Sequence, residues 1–293
     1  VTTTTDASLE LPRPRKARAT GLWRLWSSAQ VRLGVTMLVG ITILVIIAPF
    51  LAPHDMAAPV GRPYAPPSPE AWLGTDNLGR DVLSRVMSGG IYLAWMAPAS
   101  ALIAVSLGAA IALIAAYYGG WTDLILMRCM DVLLAFPGIL LTLLCVSIFG
   151  PAPPLLVTLV VLTLMPGVAR VIRGAALPLL RQEYVLWAKT VGTPGRVIIT
   201  RELLPNVSSP LLVELGLRLS WSVAILSSMS FIGYGIQPPA ADWGLMVAEN
   251  GNGLGIQPYA VLAPILMIVL YTIGGALIAE GSARIIARTE GEA

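Results

Sequence analysis

The amino-acid sequence predicts an all-α integral membrane protein with six transmembrane helices, on three observations. The chain is 56% hydrophobic and only 12% charged, with a mean hydropathy of +0.77, whereas soluble chains carry roughly 25% charged residues. Six apolar runs reach the ~20 residues needed to cross the hydrocarbon core of a bilayer. Arginine and lysine concentrate in alternate connections between those runs, the asymmetry of a multi-pass protein.

Residues 1–30 form a polar, basic tail with Arg13, Arg15, Lys16, Arg18 and Arg24, expected to be unfolded over most of its length. The first span is 31–52. Its apolar run, Val31 to Leu51, exceeds the roughly 7 to 15 residues of a cleavable leader and is therefore expected to be retained. Residues 53–90 form a proline-rich external loop that contains GTDNLGRDVLSR. A core follows over 91–285, with spans expected at 91–117, 124–149, 153–174, 208–232 and 259–282, and 286–293 form the C-terminal tail. The connection 233–258 is rich in glycine and proline and is expected to be non-helical through most of its length. No internal repeat of fixed period is evident.

The basic residues orient these spans. The tail arginines and Arg32 flank the first; Arg170, Arg173, Arg181, Lys189, Arg196 and Arg201 mark the 170–207 connection; Arg284 and Arg288 follow the last. The opposite side holds only Arg62, Arg80 and Arg85. Both termini and the 170–207 connection are thus expected in the cytoplasm. Within it, 181–206 mixes charge with Leu186, Trp187, Val191, Val197 and Ile198. Gly192-Thr193-Pro194-Gly195 must interrupt a helix, so the segment is expected to be a short amphipathic helix, a turn and a second short helix ending before Pro205.

The composition excludes several chemistries. A net charge of only +3 argues against nucleic acid as a partner. The P-loop needs Gly-Lys-Ser/Thr, and neither lysine, Lys16 or Lys189, follows a glycine, so ATP is not hydrolysed by this polypeptide. His54 is the one histidine, and no metal-ligand spacing or Ser/His/Asp set can be assembled around it. Cys129 and Cys145 fall sixteen positions apart in one expected helix, about 24 Å along its axis, too far to pair.

Charges inside spans cost roughly 2.5–3.5 kcal/mol each at mid-bilayer, so two sets draw notice. Arg128 and Asp131 are three apart, and Glu214 and Arg218 four apart, spacings that put each pair on one helix face. Either each pair is a structural bridge near the cytoplasmic end, or Glu214 and Arg218 face a central path and contact or gate a zwitterionic substrate. Small residues crowd the second span (Gly108, Ala109, Ala110, Ala112) and the last (Gly274, Gly275, Ala276, Ala279), suiting close helix packing within the subunit or between subunits.

Trp187-Ala188-Lys189-Thr190-Val191-Gly192, with Leu203-Leu204-Pro205-Asn206 downstream, resembles the EAA loop of ABC-importer permeases. Ala188 and Gly192 match the motif's second alanine and its glycine, while Leu186 and Trp187 stand where the family usually has Glu and Ala. GTDNLGRDVLSR (74–85), AAYYGGWTDLILMRCMDVLLAFP (115–137), FIGYGIQPP (231–239) and Trp243-Gly244 resemble, in order, the C-type permease of dipeptide, oligopeptide and nickel importers, covering roughly 70–285. The resemblance implies an ABC type I importer permease fold with a cytoplasmic coupling helix, in a bacterial inner membrane. It implies a sister permease, two cytoplasmic ATPases that bind ATP and Mg, and an external binding protein delivering peptide, with no cofactor in this chain. Coupling would fall to Trp187, Ala188, Lys189, Gly192, Thr193, Arg196, Pro205 and Asn206. Gly74, Thr75, Asp76, Gly79, Arg80 and Asp81 would lie outside the membrane, either shaping the mouth and meeting the binding protein, or forming a short helix capped by Asp76 or Asn77 with Asp81 reaching Arg85. The same architecture could carry nickel or a metal chelate. A stand-alone ion-coupled carrier would instead show paired repeats and buried titratable residues, which the sequence lacks.

Overall fold

The computed structural model describes Trp26 and residues 28–291, with side chains to Ile285. Most of the N-terminal basic tail therefore lies outside the described residues, whereas the expected C-terminal tail from 286 is not separate: the last helix continues through it to Gly291. Helices account for the architecture: α1 (Ala29–Leu51), α2 (Val82–Ser88), α3 (Ile91–Tyr118), α4 (Gly120–Ala135), α5 (Gly138–Phe149), α6 (Pro153–Leu179), α7 (Glu183–Thr190), α8 (Gly195–Val197), α9 (Leu204–Asn206), α10 (Ser208–Ile232), α11 (Trp243–Asn250) and α12 (Tyr259–Gly291). Five segments, containing α1, α3, α6, α10 and α12, are long and apolar enough to cross a membrane, and α4 with α5 makes a sixth as a bent pair. In such a solvent helices are the natural choice, because each backbone N–H and C=O must find its partner within the chain.

The third span is where expectation and structure differ most. Residues 124–149 do not form one helix: α4 and α5 meet at Phe136–Pro137 with a bend of 80°. Phe136 is extended (φ −87°, ψ 129°), the conformation that a following proline imposes on its neighbour. The straight-helix separation of Cys129 and Cys145 is therefore replaced by positions on two helices, and both thiols are free. Two further bounds shift. The connection 233–258 contains the eight-residue helix α11, capped by the Asp242 carboxylate accepting from the Leu245 N–H. The helix α6 runs on from the expected end at 174 to Leu179, so that Arg170 and Arg173, counted with the 170–207 connection as well as within the expected span, stand in the helix.

The central contact is α3 against α6, with α10 packed on α3, α6 and α12, and α1 laid on α12 at the periphery. Small residues permit these approaches. A Cβ at Gly108 would stand 2.8 Å from Val168 Cβ and 2.9 Å from the Met165 carbonyl, so α3 and α6 touch there almost backbone to backbone. Gly34 meets the Gly274 carbonyl across α1 and α12, and Gly275 meets Ser220 across α12 and α10. The small-residue faces thus pack within the subunit. One apolar core runs from Val82 and Val86 through Leu156–Leu164 to Tyr271. A second, at the opposite end, joins Val105–Ala116 of α3 and Ile172 and Ala176 of α6 to Val185, Ala188, Ile198 and Leu203.

Adding one methyl at the α3–α6 contact is expected to overpack it by about 1–3 kcal/mol. Gly108→Ala should lower the melting temperature of the detergent-purified protein. Gly40→Ala, whose Cβ meets nothing within 4 Å, should leave it level or raise it. Equal behaviour of the two variants would show that the α3–α6 approach is not tight.

Candidate functional site

Two loops close one end of the bundle, and they do so through a buried charge cluster. In GTDNLGRD, Gly74 (φ +72°) and Gly79 (φ +77°) take left-handed turns, where a side chain would be strained. A Cβ at either would also overlap a neighbour, Gln257 Nε2 or the Gly61 carbonyl. These turns fold the chain back so that Asp76 Oδ1 accepts from the Leu78 and Arg80 amides. Asp76 Oδ2 takes Arg80 Nε at 2.6 Å, with Arg85 Nε 3.4 Å away, an ion-pair distance without hydrogen-bond alignment. Glu249 of α11 completes the cluster, its Oε2 accepting from Arg80 Nη2 at 3.0 Å and from Arg85 Nη2 at 2.9 Å. Two carboxylates and two guanidinium groups balance, and Asp76, Arg80 and Arg85 are all at least 95% buried.

The helix cap falls to Asp81, not to Asp76 or Asn77. The Asp81 carboxylate accepts from the Leu83 and Ser84 amides and from the Ser84 hydroxyl. Engaged there, it makes no ion pair with Arg85, which turns to Glu249 and Asp76 instead. Asn250 Oδ1 accepts from the Asn77 amide, Gln257 Nε2 donates to the Ala65 and Leu73 carbonyls, and Trp243 Nε1 donates to Val86. Loop 53–90 and loop 233–258 are therefore one unit. The Thr75 side chain is also inside, between the Arg62 carbonyl and the Ala65 amide. Of this region, Met56, Trp72, Leu78, Leu254 and Ile256 are the large apolar side chains left exposed.

At the other end, 181–206 folds as a short helix, a turn and a second helical stretch. Gly192 makes the turn at φ +81°, its N–H donating to Lys189, and the Thr193 N–H returns to Ala188. Contrary to expectation, the second stretch does not stop before Pro205: α8 passes into a π-helical segment, Ile198–Leu203, and then α9. Pro205 is accommodated in the first turn of α9, where its missing N–H costs least. Val185 and Ala188 face the core, and Leu186, Trp187 and Val191 face out, Trp187 at 69% exposure. Lys189 Nζ sits 5.0 Å from the centroid of the Tyr117 ring at the end of α3. Gly195 lies on the same ring, where a Cβ would come within 2.6 Å. Asn206 Nδ2 donates to the Glu202 carbonyl, and Arg196 is exposed.

Between the ends stand the in-span charges. Glu214 and Arg218 pair on α10 (Nη2–Oε2 2.6 Å, Nε–Oε2 2.8 Å), with the guanidinium lying over Gly167 of α6. Asp131 is 3.6 Å from Arg128, but its short bond, 2.7 Å, is to Arg170. Arg173 grips both carboxylate oxygens of Asp123. Among the described residues no group of three or more His, Cys, Asp or Glu side chains could hold a metal.

Residues 108–290 match the family of binding-protein-dependent transport system inner membrane components. The chain belongs to this family. It is similar to the glutathione transport system permease protein GsiD of Pectobacterium atrosepticum, 34% identical over 282 residues that cover 94% of this chain and 93% of the relative. The corresponding protein of Shigella dysenteriae is 33% identical, covering 88% and 86% of the two chains, and that of Escherichia coli O6:K15:H31 is 34% identical over the same shares. The chain is accordingly an inner-membrane permease subunit of an ABC importer, working with a binding protein, a permease partner and ATPase subunits that hydrolyse ATP.

In this permease the sequence singled out most of the polar cluster but missed Glu249, Asn250, Gln257 and Arg170. One signal was available for Glu249: Arg80 and Arg85 need acidic partners on their own side of the membrane, and loop 233–258 offers two acids, Asp242 and Glu249. Asp242 serves elsewhere, as the α11 cap. Burial pushes its carboxyl up to about 6, against hydrogen bonds from the Leu245 amide, the Ser230 hydroxyl and the Gly244 amide that hold it down.

Glu249→Ala would leave two buried guanidinium groups short of an acceptor, a loss expected at about 3–5 kcal/mol. The thermal midpoint of the purified importer should fall sharply, and by less for Glu249→Gln; an unchanged midpoint for the alanine variant would mean that the cluster does not fasten the loops.

For Asp242 the sign follows from the raised value. The folded protein holds a proton there that the unfolded chain releases near pH 4, so this contribution to stability declines as pH rises from about 4 to about 6 and stays low above. Asn keeps the cap without the charge. Asp242→Asn should raise the midpoint at pH 7.5 and flatten its change between pH 7.5 and 5; parallel profiles for variant and wild type would contradict this.

Proposed function

We propose that this permease forms, with its sister subunit, the path through which di- and oligopeptides enter the cytoplasm after delivery by the external binding protein. Two cytoplasmic ATPase subunits, holding ATP and Mg, drive it through 181–206, and both termini lie in the cytoplasm. The observation that carries the coupling assignment is the division of α7. Val185 and Ala188 are anchored in the core shared with α3 and α6, while Leu186, Trp187 and Val191 present an apolar face to a partner. Where related loops offer a glutamate, this one offers Leu186 and Trp187, so docking here is by apolar fit. The cargo assignment is supported by the peptide-importer resemblance and by relatives named for transport of glutathione, itself a tripeptide.

At the opposite end, the buried side chains of Asp76, Arg80 and Asp81 give the mouth its shape, and Trp72, Leu78, Leu254 and Ile256 are among the groups left for the binding protein to meet. ATP binding acts only insofar as the ATPase dimer holds the coupling helix differently in its two states. Glu214 and Arg218, paired over Gly167, are placed to gate the path between them.

The direct test is ATPase activity of the importer, co-expressed and purified with its partners, with and without binding protein and with peptides or nickel. Stimulation by peptide and not by nickel is expected; the reverse would overturn the cargo assignment. Gly192→Pro cannot take φ +81° and loses the N–H to Lys189. It should insert at wild-type levels but abolish transport, and full transport at equal expression would remove the coupling role of this turn.

A further inference from the structure

The open side of α4 and α6 carries charge at a depth where lipid would reject it. Arg170 lies four residues, about 6 Å, from the midpoint of α6 at Pro166, well inside the ~15 Å half-thickness of a hydrocarbon core. Asp131, bonded to Arg170, is ten residues or about 15 Å along α4 from Trp121, which with Tyr118 forms an exposed aromatic pair of the kind that marks a membrane interface. Both measures place the pair within the hydrocarbon depth, Asp131 at no more than about 15 Å from that interface because the 80° bend tilts α4 or α5 away from the membrane normal. Yet the side chains of Arg128, Asp131 and Arg170 are 73%, 39% and 55% exposed.

Three features say what this face meets. First, Arg128 does not snorkel back to the interface: its Nη1 stands 3.6 Å from Asp131, one turn deeper into the membrane. Second, the α6 positions in helical register with Arg170 are small or polar, Thr163, Gly167 and Gly174, beside an exposed Val171; Gly167 lies under Arg218, and nothing lies within 4 Å of a Cβ at Gly174. Third, the charges do not balance. Asp131 gives its 2.7 Å bond to Arg170, and Asp123 is occupied by Arg173, so Arg128 is a surplus guanidinium among these pairs.

We propose that this side of α4 and α6 lines the water-filled path, and that Arg128, steadied by Asp131, binds the free carboxylate of the passing peptide. This rests on the peptide-import reading. A guanidinium suits that role because it presents paired N–H donors to a carboxylate and stays charged. The permease itself would then select for a free C-terminus, independently of the binding protein.

The test uses the complete importer in proteoliposomes, supplied with one peptide as its C-terminal acid and as its C-terminal amide. Each variant is compared with wild type for the same peptide, so any preference of the binding protein cancels. Arg128→Gln should cut acid uptake about tenfold and amide uptake less than twofold, while Arg128→Lys retains most of the preference. An equal loss for both peptides, no loss for either, or failure of Arg128→Gln to assemble with the sister permease would overturn carboxylate binding. In parallel, Gly174→Cys, with Cys129 and Cys145 replaced by serine, should react with a membrane-impermeant cationic thiol reagent and be protected by peptide. Modification by lipid-soluble reagents alone would overturn the path. If wild type imports neither peptide, the cargo assignment has failed, and the thiol arm decides the water-filled path by itself.

Discussion

A bilayer offers no partner for a buried charge, and this constraint accounts for more of the structure than any packing preference. Each in-span carboxylate that forms an ion pair among the described residues finds its guanidinium within the same chain: Asp123 with Arg173, Asp131 with Arg170, Glu214 with Arg218 and Glu280 with Arg284. The pairs differ in sequence distance. Glu214 and Arg218 neutralise each other on one helix face, whereas Asp123 and Asp131 need α6 beside α4 before they are satisfied. Removing one partner of the largely buried Glu214–Arg218 pair leaves an uncompensated ion, which costs more than the intact pair contributes. Correct apposition of α4 and α6 is therefore enforced by charge as well as by shape.

The two ends of the bundle treat their polar residues in opposite ways. At the end formed by 53–90 and 233–258, nearly every conspicuous polar side chain turns inward, and Asp76, Arg80, Arg85 and Glu249 join the loops into one body. At the other end, Val185 and Ala188 fix a short helix while Trp187, Leu186 and Val191 remain outside. A buried cluster resists deformation and an exposed apolar face invites a partner. The contrast is what an importer requires, with a mouth of fixed shape and a handle that another subunit can hold.

Much of this was legible in the residues. The spans, the polar segment 181–206 and the Gly192 turn follow from hydropathy, glycine and proline chemistry. The bend between α4 and α5 was legible too, in Phe136-Pro137, but a hydropathy window averages across it and reports one continuous run. What could not be read was partnership across long sequence distances. Asp81 and Arg85 have ideal helical spacing, and they ignore one another because Asp81 caps its helix and Arg85 finds Glu249, 164 residues away. Local spacing tells which pairs can form, and only the fold tells which competing partner wins. Arg170 was counted with the 170–207 connection for a related reason: its charge suggests a loop, and its environment is a helix whose neighbour carries the matching acid.

The helix α3 ties these observations into one mechanical element. Its first turn follows Gly90, whose Cβ position lies against Trp243, so that end is held beneath the unit formed by the two loops. Its last turn carries Tyr117, which holds both Lys189 and Gly195 of the 181–206 segment. Between them, Gly108 brings α3 almost into backbone contact with α6, the helix that bears Gly167 and Arg170. A displacement imposed at Trp187 therefore meets no soft joint on its way to α3, and α3 cannot slide past α6 without breaking the tight contact at Gly108. The bend at Phe136–Pro137 lies outside this path, on the side where Arg128 and Asp131 face the open surface. Motion is then expected to open and close that side, with α3 and α6 moving as a body and the α4–α5 joint absorbing the difference.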